Sequence, residues 1–317
     1  MNNYDFNGKT ILIIGGAGFV GFELIKQLSL YASCRLIVVD NDKNRLSELN
    51  LPISQKYCFD GSETARLATV MSDENVDGVI HLAANSDIRS GSISSDLDFR
   101  NTLTPTLSLS EIVKSKTLNF VMFSSTSAVY GNTEKPISLN SNDYKIPISN
   151  YGWAKLASEY ALRLATKESS TPFILTRFPN VVGPNPTHGV LYDFKKKLKS
   201  KNKVFEILGN GEQTKPYLHV EDLCKVLIRA ISISLSKPET ELNIGPGDSI
   251  NLKDIVRIVL EITGLNYEPK FGTSSFGWVG DVPNYMYSDN LPKEYSDIVM
   301  RKSAVAIHDA FSGSWVD

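Results

Sequence analysis

A tyrosine and a lysine four residues apart, Tyr151 and Lys155, open a helical stretch of the sequence. Residues at this spacing share one face of a helix, so the phenol and the ammonium would reach into the same space. A phenol has a pKa of about 10 in water, and a neighbouring cation stabilises the phenolate. The pair therefore predicts a tyrosine that acts as a general base near neutral pH, with its pKa lowered by Lys155.

A cluster of hydroxyl side chains precedes this pair and directly follows an apolar run. It consists of Ser124, Ser125, Thr126 and Ser127. Open α/β sheets bind ligands at the carboxyl ends of their strands, so a hydroxyl at this position can face a substrate. Capping and turn formation is the alternative role for some of these serines.

A glycine-rich turn lies near the start of the chain, in Gly15-Gly16-Ala17-Gly18-Phe19-Val20-Gly21. Glycines at these positions let the backbone turn tightly and approach a pyrophosphate at the N-terminus of a helix. Asp40 ends the second apolar run, 19 residues beyond Gly21. A carboxylate there accepts hydrogen bonds from a ribose diol and repels a 2′-phosphate, which favours NAD over NADP. An ordinary role at the end of a strand is the alternative for Asp40.

Six apolar, β-branched runs alternate with amphipathic stretches in the first part of the chain. These runs are Thr10–Gly15, Arg35–Asp40, Lys56–Phe59, Gly78–Leu82, Asn119–Ser124 and Pro172–Phe178. Helical patterns between them cover Phe19–Leu30, Glu63–Met71, Thr104–Lys114 and Tyr151–Thr166. Continuous apolar runs are typical of strands buried on both faces, so the fold class predicted is α/β, with a doubly wound parallel sheet.

The rhythm of strands and helices breaks after Gly183. We therefore expect a dinucleotide-binding domain over residues 1–183 and a smaller C-terminal lobe over residues 184–317, interleaved with the sheet. The lobe would contain a Lys-rich helix and helices near Glu221 and Leu252.

Composition narrows the classes of partner. Of 317 residues, 42% are hydrophobic and 21% charged, with a formal net charge of -2, so neither nucleic acid nor a membrane surface is expected as a partner. The polar start lacks the apolar segment of a secretory signal, which predicts a cytoplasmic protein. Cys34, Cys58 and Cys224 are scattered and show no metal-ligand spacing, so buried, inert thiols and no metal are expected.

Several further segments complete a family pattern that runs in order along nearly the whole chain. They are His81-Leu82-Ala83-Ala84, Arg177 to Pro184, and Gly211 to Asp222, beside the glycine turn, Asp40, the hydroxyl cluster and the Tyr151/Lys155 pair. The chain resembles the extended short-chain dehydrogenase/reductases that act on nucleotide sugars, within the NAD-dependent epimerase/dehydratase family. The resemblance implies a nucleotide sugar as substrate, NAD as cofactor and a homodimer.

The same resemblance implies roles for individual residues. The implied cofactor-binding residues are Gly15, Gly18, Phe19, Val20, Gly21, Asp40, Asn41, Asp60, Gly61, Leu82, Ala83, Ala84, Tyr151 and Lys155. The catalytic group would be Thr126, Tyr151 as the base, and Lys155, which holds the nicotinamide ribose. The implied substrate-binding residues are Ser86, Thr126, Asn180, Lys215 and Tyr285.

Three departures from the family pattern refine the expected reaction. Ser127-Ala128 replaces the Asp-Glu of dehydratases, which removes the acid and base needed to expel water. Lys215 replaces an arginine at a phosphate-facing position, and Trp278 replaces another in the late Arg-Pro-Gly-Asp segment.

With dehydration disfavoured, the resemblance implies C4 epimerisation of a UDP-hexose, of the UDP-glucose/UDP-galactose type. The alternatives are a UDP-uronic acid 4-epimerase or decarboxylase, and a non-catalytic NAD-binding sensor.

Overall fold

The structure is a computed structural model. It describes residues 5–31, 33–85, 94–133, 135–138, 145–200, 204–234, 236–277, 280–288 and 291–315. In these ranges no helix is both long and apolar enough to cross a lipid bilayer.

Strands and helices alternate along the chain as the apolar pattern predicts. The strands are β1 (Thr10–Ile14), β2 (Arg35–Asp40), β3 (Gln55–Cys58), β4 (Gly78–His81), β5 (Phe120–Thr126), β6 (Phe173–Phe178), β7 (Asn180–Val182), β8 (Val204–Ile207), β9 (Thr214–Lys215), β10 (Tyr217–His219), β11 (Glu239–Asn243), β12 (Ile250–Asn251) and β13 (Glu268–Phe271).

The helices are α1 (Phe19–Tyr31), α2 (Lys43–Glu48), α3 (Thr64–Asp73), α4 (Ser95–Asp98), α5 (Thr104–Val113), α6 (Asn150–Glu168), α7 (Val190–Leu198), α8 (Val220–Ser234), α9 (Leu252–Thr263) and α10 (Ser303–Ser314). A π-helical segment, Phe99–Leu103, joins α4 to α5, and 3₁₀ turns cover Ser127–Tyr130 and Lys293–Tyr295.

One seven-stranded sheet organises the described part of the molecule. Its strand order is β11-β6-β5-β4-β1-β2-β3, and every neighbouring pair is parallel. The chain winds outward from β1 in one direction and from β4 in the other, so the winding reverses between these two strands. A crevice forms at the carboxyl ends of strands where the winding reverses, and the fold thus places a ligand site there.

Both faces of the sheet are buried, which explains why its strands read as continuous apolar runs. Alternate residues of β1 enter different layers: Ile11 and Ile13 pack in one core, whereas Leu12 and Ile14 pack in the other. The doubly wound α/β fold expected from the sequence is confirmed.

The second part of the chain contributes to the sheet and also builds a core of its own. Strand β11 lies beside β6 at the edge of the main sheet, although β7 to β10 and two helices separate the two strands along the chain. In this second core, α7, α9 and α10 pack together around apolar side chains such as Phe205 and Ile255. The part of the chain after residue 183 thus returns to the main sheet at β11. The division into two domains at residue 183 stays a prediction.

Candidate functional site

The glycine-rich turn joins β1 to α1 at the point where the winding reverses. Gly15 has a φ of +81°, and a Cβ added to it would lie 2.5 Å from the backbone nitrogen of Ala83. A Cβ on Gly21 would lie 2.5 Å from the carbonyl oxygen of Gly16, so both positions require glycine. Gly18 donates from its amide to the carbonyl of Gly15 at 3.2 Å and closes the turn.

Helix α1 begins directly after this turn, with Phe19 and Val20 in its first turn and packed against the core. No acidic side chain lies in that first turn. Its unpaired amides and the positive end of the helix dipole are therefore available to an anion such as a pyrophosphate.

Asp40 ends β2 beside the glycine turn. One of its carboxylate oxygens accepts a hydrogen bond from the Ala17 amide at 3.0 Å, and the other accepts one from the Asp42 amide at 3.0 Å. Burial raises the pKa of Asp40 from its ordinary value, although these two amides oppose the rise. A carboxylate has about four lone-pair sites, so two can still accept hydrogen bonds from a ribose diol.

A second carboxylate lies one strand further along the same edge. Asp60 follows β3 and accepts a hydrogen bond from the side-chain amide of Asn41 at 3.3 Å. Burial tends to raise the pKa of Asp60, but hydrogen bonds from Ser62 and Asn41 hold that pKa below its ordinary value. Gly61 is next in the same loop, so the residues implied for the adenosine end lie together.

The segment after β4 closes the crevice from the other side. The amides of Leu82 and Ala83 both donate to the carbonyl of Ile14, at 2.8 Å and 3.0 Å. These bonds hold Leu82, Ala83 and Ala84 against the glycine turn. Ser86, an expected substrate contact, lies outside the described residues.

The predicted catalytic residues converge from β5 and α6. Thr126 is the last residue of β5, and its hydroxyl oxygen accepts a hydrogen bond from the Ala128 amide at 3.1 Å. Ser149 caps α6 by accepting from the Gly152 amide at 3.1 Å, which fixes the first turn that carries Tyr151. A Cβ on Gly152 would lie 2.8 Å from the Ala128 carbonyl oxygen, so this glycine lets α6 approach the turn after Thr126.

Lys155 lies one helical turn after Tyr151 and is almost completely buried. Its ammonium donates a hydrogen bond to the Ser124 carbonyl at 2.6 Å and lies 6.0 Å from the centroid of the Tyr151 ring. The shared helix face predicted from the spacing is thus observed.

The electrostatics of this pair differ from the sequence-based expectation. Burial raises the pKa of Tyr151 well above its ordinary value, and the Asp98 carboxylate raises it further. Burial also lowers the pKa of Lys155 to about 7, although Glu159 opposes this change. The prediction that the pKa of Tyr151 is lowered is wrong for this structure, because desolvation of the phenolate raises it.

The substrate side of the site is built from residues far apart in the chain. The Asn180 amide donates to the Tyr285 hydroxyl at 3.4 Å, and Asn180 is exposed. Burial raises the pKa of Tyr285 to about 12, while a hydrogen bond with the Ser127 side chain opposes the rise. Tyr285 therefore lies between Asn180 and the residue next to Thr126.

Lys215 occupies a buried position and forms an ion pair with Asp281. Asp281 also accepts a hydrogen bond from the Gly277 amide at 3.1 Å. The Lys215 ammonium, which was expected to face a phosphate, thus pairs with the Asp281 carboxylate. This ion pair attaches the segment around Asp281 to β9. Trp278, the third departure from the family pattern, lies outside the described residues.

Several residues of the site were missed by sequence reasoning. Tyr217 and Tyr287 are buried close to Tyr285, and Asp98 lies near enough to Tyr151 to raise its pKa. Glu159 lies one turn beyond Lys155 on α6. Only Glu159 had a signal in the sequence, because extending the Tyr151/Lys155 spacing by four residues reaches it.

The cysteines differ in their surroundings. Cys224 is buried, Cys34 is partly buried, and Cys58 is exposed, so the expectation of three buried thiols is wrong for Cys58. Its strand, β3, lies at the edge of the sheet. Within the described ranges, no group of three or more His, Cys, Asp or Glu side chains is arranged to hold a metal ion.

The residues present fit a dinucleotide. Three features are neighbours along the sheet edge: a turn in which a Cβ on Gly15 would collide with the Ala83 backbone, a helix N-terminus without acidic side chains in its first turn, and Asp40 beside them. Tyr151 and Lys155 lie on the other side of the reversal point, both on α6 and next to the end of β5. This order matches a pyrophosphate, an adenosine ribose and a nicotinamide ribose.

Known proteins are similar to this chain in fold and in sequence. A solved structure of a UDP-galactose 4-epimerase superposes with a TM-score of 0.81 at 28% identity, over 96% of this chain and 98% of that chain. The UDP-glucose 4-epimerase of Lacticaseibacillus casei is 25% identical over 285 residues, which cover 84% of this chain and 86% of the relative. The dTDP-D-glucose 4,6-dehydratase of Dictyostelium discoideum is 30% identical over 287 residues, 83% of this chain and 64% of the relative.

The sequence profile of the NAD dependent epimerase/dehydratase family matches residues 11–245. The family resemblance and the NAD cofactor expected from the sequence are thereby confirmed, because the match spans the glycine turn, Asp40 and the Tyr151/Lys155 pair. The chain therefore belongs to the NAD-dependent epimerase/dehydratase family of nucleotide-sugar enzymes.

Proposed function

We propose that the protein is a 4-epimerase that interconverts UDP-glucose and UDP-galactose through a 4-keto sugar. The observation that carries the proposal is the joint position of Thr126, Tyr151 and Lys155 at the carboxyl edge of the sheet, beside the dinucleotide cradle. A non-catalytic NAD sensor needs none of these three groups, so the complete set argues against that alternative.

Each of the three side chains has a separate task. When bound, NAD would accept the hydride that leaves C4 of the sugar. The positive charge of its oxidised form would also favour the phenolate of Tyr151. Tyr151 exchanges a proton with the oxygen at C4. Lys155 would hold a ribose hydroxyl of the dinucleotide and add positive charge, and the Thr126 hydroxyl, fixed by the Ala128 amide, would orient the oxygen at C4 of the sugar.

Dehydration is disfavoured by the two residues next to Thr126. The turn contains Ser127 and Ala128, so it presents a hydroxyl and a methyl group where a dehydratase needs an acid and a base. A neutral hydroxyl does not remove a proton from carbon at neutral pH, so the elimination of water after oxidation at C4 lacks its base.

A hexose is favoured over a uronic acid by the pairing of Lys215 with Asp281. The Lys215 ammonium is neutralised by Asp281, so this buried pair offers no net positive charge to a sugar carboxylate. The nearby Tyr217 and Tyr285 hydroxyls suit neutral sugar hydroxyls. The UDP-uronic acid 4-epimerase and decarboxylase are therefore alternatives for the experiment to exclude.

Tyr285 is our candidate for the residue that borders the C2 substituent of the sugar. Its ring lies edge-on to Tyr287, with 6.4 Å between the centroids, and its hydroxyl is held by Asn180. A ring fixed at both ends does not move aside easily. We therefore infer a preference for UDP-glucose and UDP-galactose over the N-acetylhexosamine pair.

A homodimer is the proposed assembly. Helices α5 and α6 pack together, and their outer face carries an exposed apolar stripe. The α5/α6 stripe consists of Leu107, Trp153, Tyr160 and Leu164, together with Phe99 of the π-helical segment before α5. Trp153, Tyr160 and Leu164 are each at least half exposed and recur at helical spacing. A second copy can cover this stripe by two-fold symmetry, two helices against two helices.

Light scattering on wild type and a Trp153→Glu/Leu164→Glu variant checks this assembly. The variant should show half the wild-type mass, whereas Val299→Glu, a control at an exposed position outside the stripe, should not. Equal masses for wild type and the double variant would contradict the assembly. The cytoplasmic location expected from the sequence stays a prediction.

The deciding experiment for the reaction is the product spectrum of the purified protein. UDP-galactose, UDP-N-acetylgalactosamine and UDP-glucuronic acid are each incubated with enzyme and NAD, and the products are resolved by anion exchange and NMR. We expect UDP-glucose from UDP-galactose without accumulation of NADH. A 4-keto-6-deoxy product, turnover of UDP-glucuronic acid alone, or no turnover would each contradict the proposal.

A further inference from the structure

Glu159 is a carboxylate that the proposed reaction does not yet use. It lies on α6, four residues after Lys155 and eight after Tyr151, and it is fully buried. Its oxygens accept hydrogen bonds from the Ser125 hydroxyl at 2.5 Å and from the Arg177 guanidinium at 2.6 Å and 2.8 Å. The carboxylate is therefore held in one position by two other strands.

Each partner of Glu159 belongs to a strand that ends at the site. Ser125 precedes Thr126 at the end of β5, and it lies directly opposite Arg177 of β6 in the sheet register. Arg177 in turn precedes Asn180 by three residues. A single carboxylate thus connects the helix that carries Tyr151 with the strands that carry Thr126 and lead to Asn180.

Arg177 extends the connection to the other side of the site. It donates to the Tyr130 hydroxyl at 3.1 Å, within the turn after Thr126, and to Glu241 of β11 at 2.8 Å. A buried ion pair costs desolvation and is weak evidence for stability. The Glu159–Arg177 pair is better explained by the geometry it imposes on the strand ends.

The charged and titratable groups around Lys155 come from three elements. Glu159 and Tyr151 face it from α6, and His81 faces it from β4, while β5 supplies the Ser124 carbonyl. Burial, with the Lys155 charge, lowers the pKa of His81 to about 3, so that imidazole is neutral. Among these groups Glu159 is the anion: its oxygens bond to Ser125 and Arg177, and its charge, one helical turn from Lys155, opposes the loss of the Lys155 proton.

We propose that Glu159 is a positioning residue of the reaction, which aligns Thr126 with Tyr151 and keeps Lys155 as an ammonium. The inference rests on the proposed function, since it gives the Lys155 charge a role in catalysis. Because only the charged lysine is active in this scheme, activity falls as the pH rises through the pKa of Lys155. Loss of Glu159 moves that fall to lower pH.

The test compares Glu159→Gln with Glu241→Gln in the purified, NAD-loaded protein. Both variants remove a carboxylate from Arg177, but only the first removes one beside Lys155. NMR of lysine labelled at Cε follows the titration of Lys155 without any sugar, and the pH dependence of kcat with UDP-galactose follows catalysis. We expect Glu159→Gln to lower the midpoint and the alkaline limb of kcat by about one pH unit, a tenfold weaker hold on the proton. Glu241→Gln should leave both near wild type.

A purely structural role would give a different result. The double variant Glu159→Gln/Arg177→Met removes both buried charges. If the Glu159 charge acts on Lys155, the double variant should show the same lowered Lys155 midpoint as Glu159→Gln. If the shift in Glu159→Gln comes only from the unpaired arginine, the double variant should titrate like wild type. This double variant also serves if Glu159→Gln does not fold. An unchanged Lys155 midpoint in the variants that fold overturns the inference. A shifted midpoint in a protein that does not epimerise UDP-galactose supports the electrostatic link while refuting the proposed function.

Discussion

The two halves of the candidate site are built in different ways. On the cofactor side, the glycine turn and Leu82–Ala84 come directly after strands, Asp40 is the last residue of β2, and backbone conformation does most of the positioning. On the substrate side, Lys215 meets Asp281 across 66 residues, and Asn180 meets Tyr285 across 105. The cofactor side, which is positioned by backbone conformation, is therefore encoded by residues close together in the sequence. The substrate side, which is positioned by contacts between side chains, depends on how distant segments pack.

The catalytic residues lie between these halves, and their removal has the largest expected effect. Tyr151→Phe should lower kcat by roughly 10²- to 10⁴-fold, the usual contribution of general acid–base catalysis, while NAD binding is retained. Lys155→Ala should lower kcat and also weaken NAD binding, because this side chain belongs to the cofactor side as well. Steady-state kinetics together with NAD titration by calorimetry checks this, and near-native turnover of Tyr151→Phe would show that another group is the base.

The backbone-built half is tested by Gly15→Ala. The added Cβ would meet the Ala83 backbone at 2.5 Å, so Leu82–Ala84 must shift away from the turn. Overpacking costs about 1–3 kcal/mol, in addition to about 1–2 kcal/mol for the left-handed conformation. Gly8→Ala is the matched control, since Gly8 has a φ of +70° but nothing within 4 Å.

The measurement for this pair is urea unfolding together with NAD affinity. Gly8→Ala should lose only stability, whereas Gly15→Ala should lose stability and bind NAD more weakly. Equal effects of the two substitutions on NAD affinity would mean that the contact with Ala83 does not shape the cradle.

The half built from side chains is tested by Tyr285→Ser. A smaller side chain removes the volume conflict with an acetamido group, and conflicts of this kind cost about 1–3 kcal/mol. The variant should therefore raise kcat/KM for UDP-N-acetylgalactosamine relative to UDP-galactose by roughly tenfold. If the ratio does not change, or if wild type already uses both sugars equally, Tyr285 is not the gate.

The smallest expected effect concerns the choice between two dinucleotides. Asp40 should repel a 2′-phosphate, so wild type should bind NAD at least about tenfold more tightly than NADP, which corresponds to about 1.4 kcal/mol. Asp40→Asn should narrow that ratio, because the amide oxygen can still accept from Ala17 but carries no charge. Equal affinities of wild type for the two dinucleotides in calorimetry would remove the ribose assignment.

Sequence reasoning succeeded where the chain encodes a feature within a few residues. The predicted strands of the main sheet coincide with their apolar runs, with ends that differ by a residue or two, and α6 begins at Asn150 beside the predicted start. It failed at β11, whose Glu239–Asn243 has little apolar character because it lies at the sheet edge. Helices α2 and α4 were also missed, since each is too short to show a helical period.

Backbone geometry and short spacing could be predicted from the residues alone: the glycine turn, Asp40 at the end of β2, and Tyr151 and Lys155 on one helix face. The charge and the anchoring of these groups depend instead on the folded chain. Burial beside Asp98 reversed the expected direction of the Tyr151 pKa, and Asp281 engaged the Lys215 ammonium. Desolvation and long-range ion pairs arise from neighbours that packing brings together, so no local pattern of residues could have specified them.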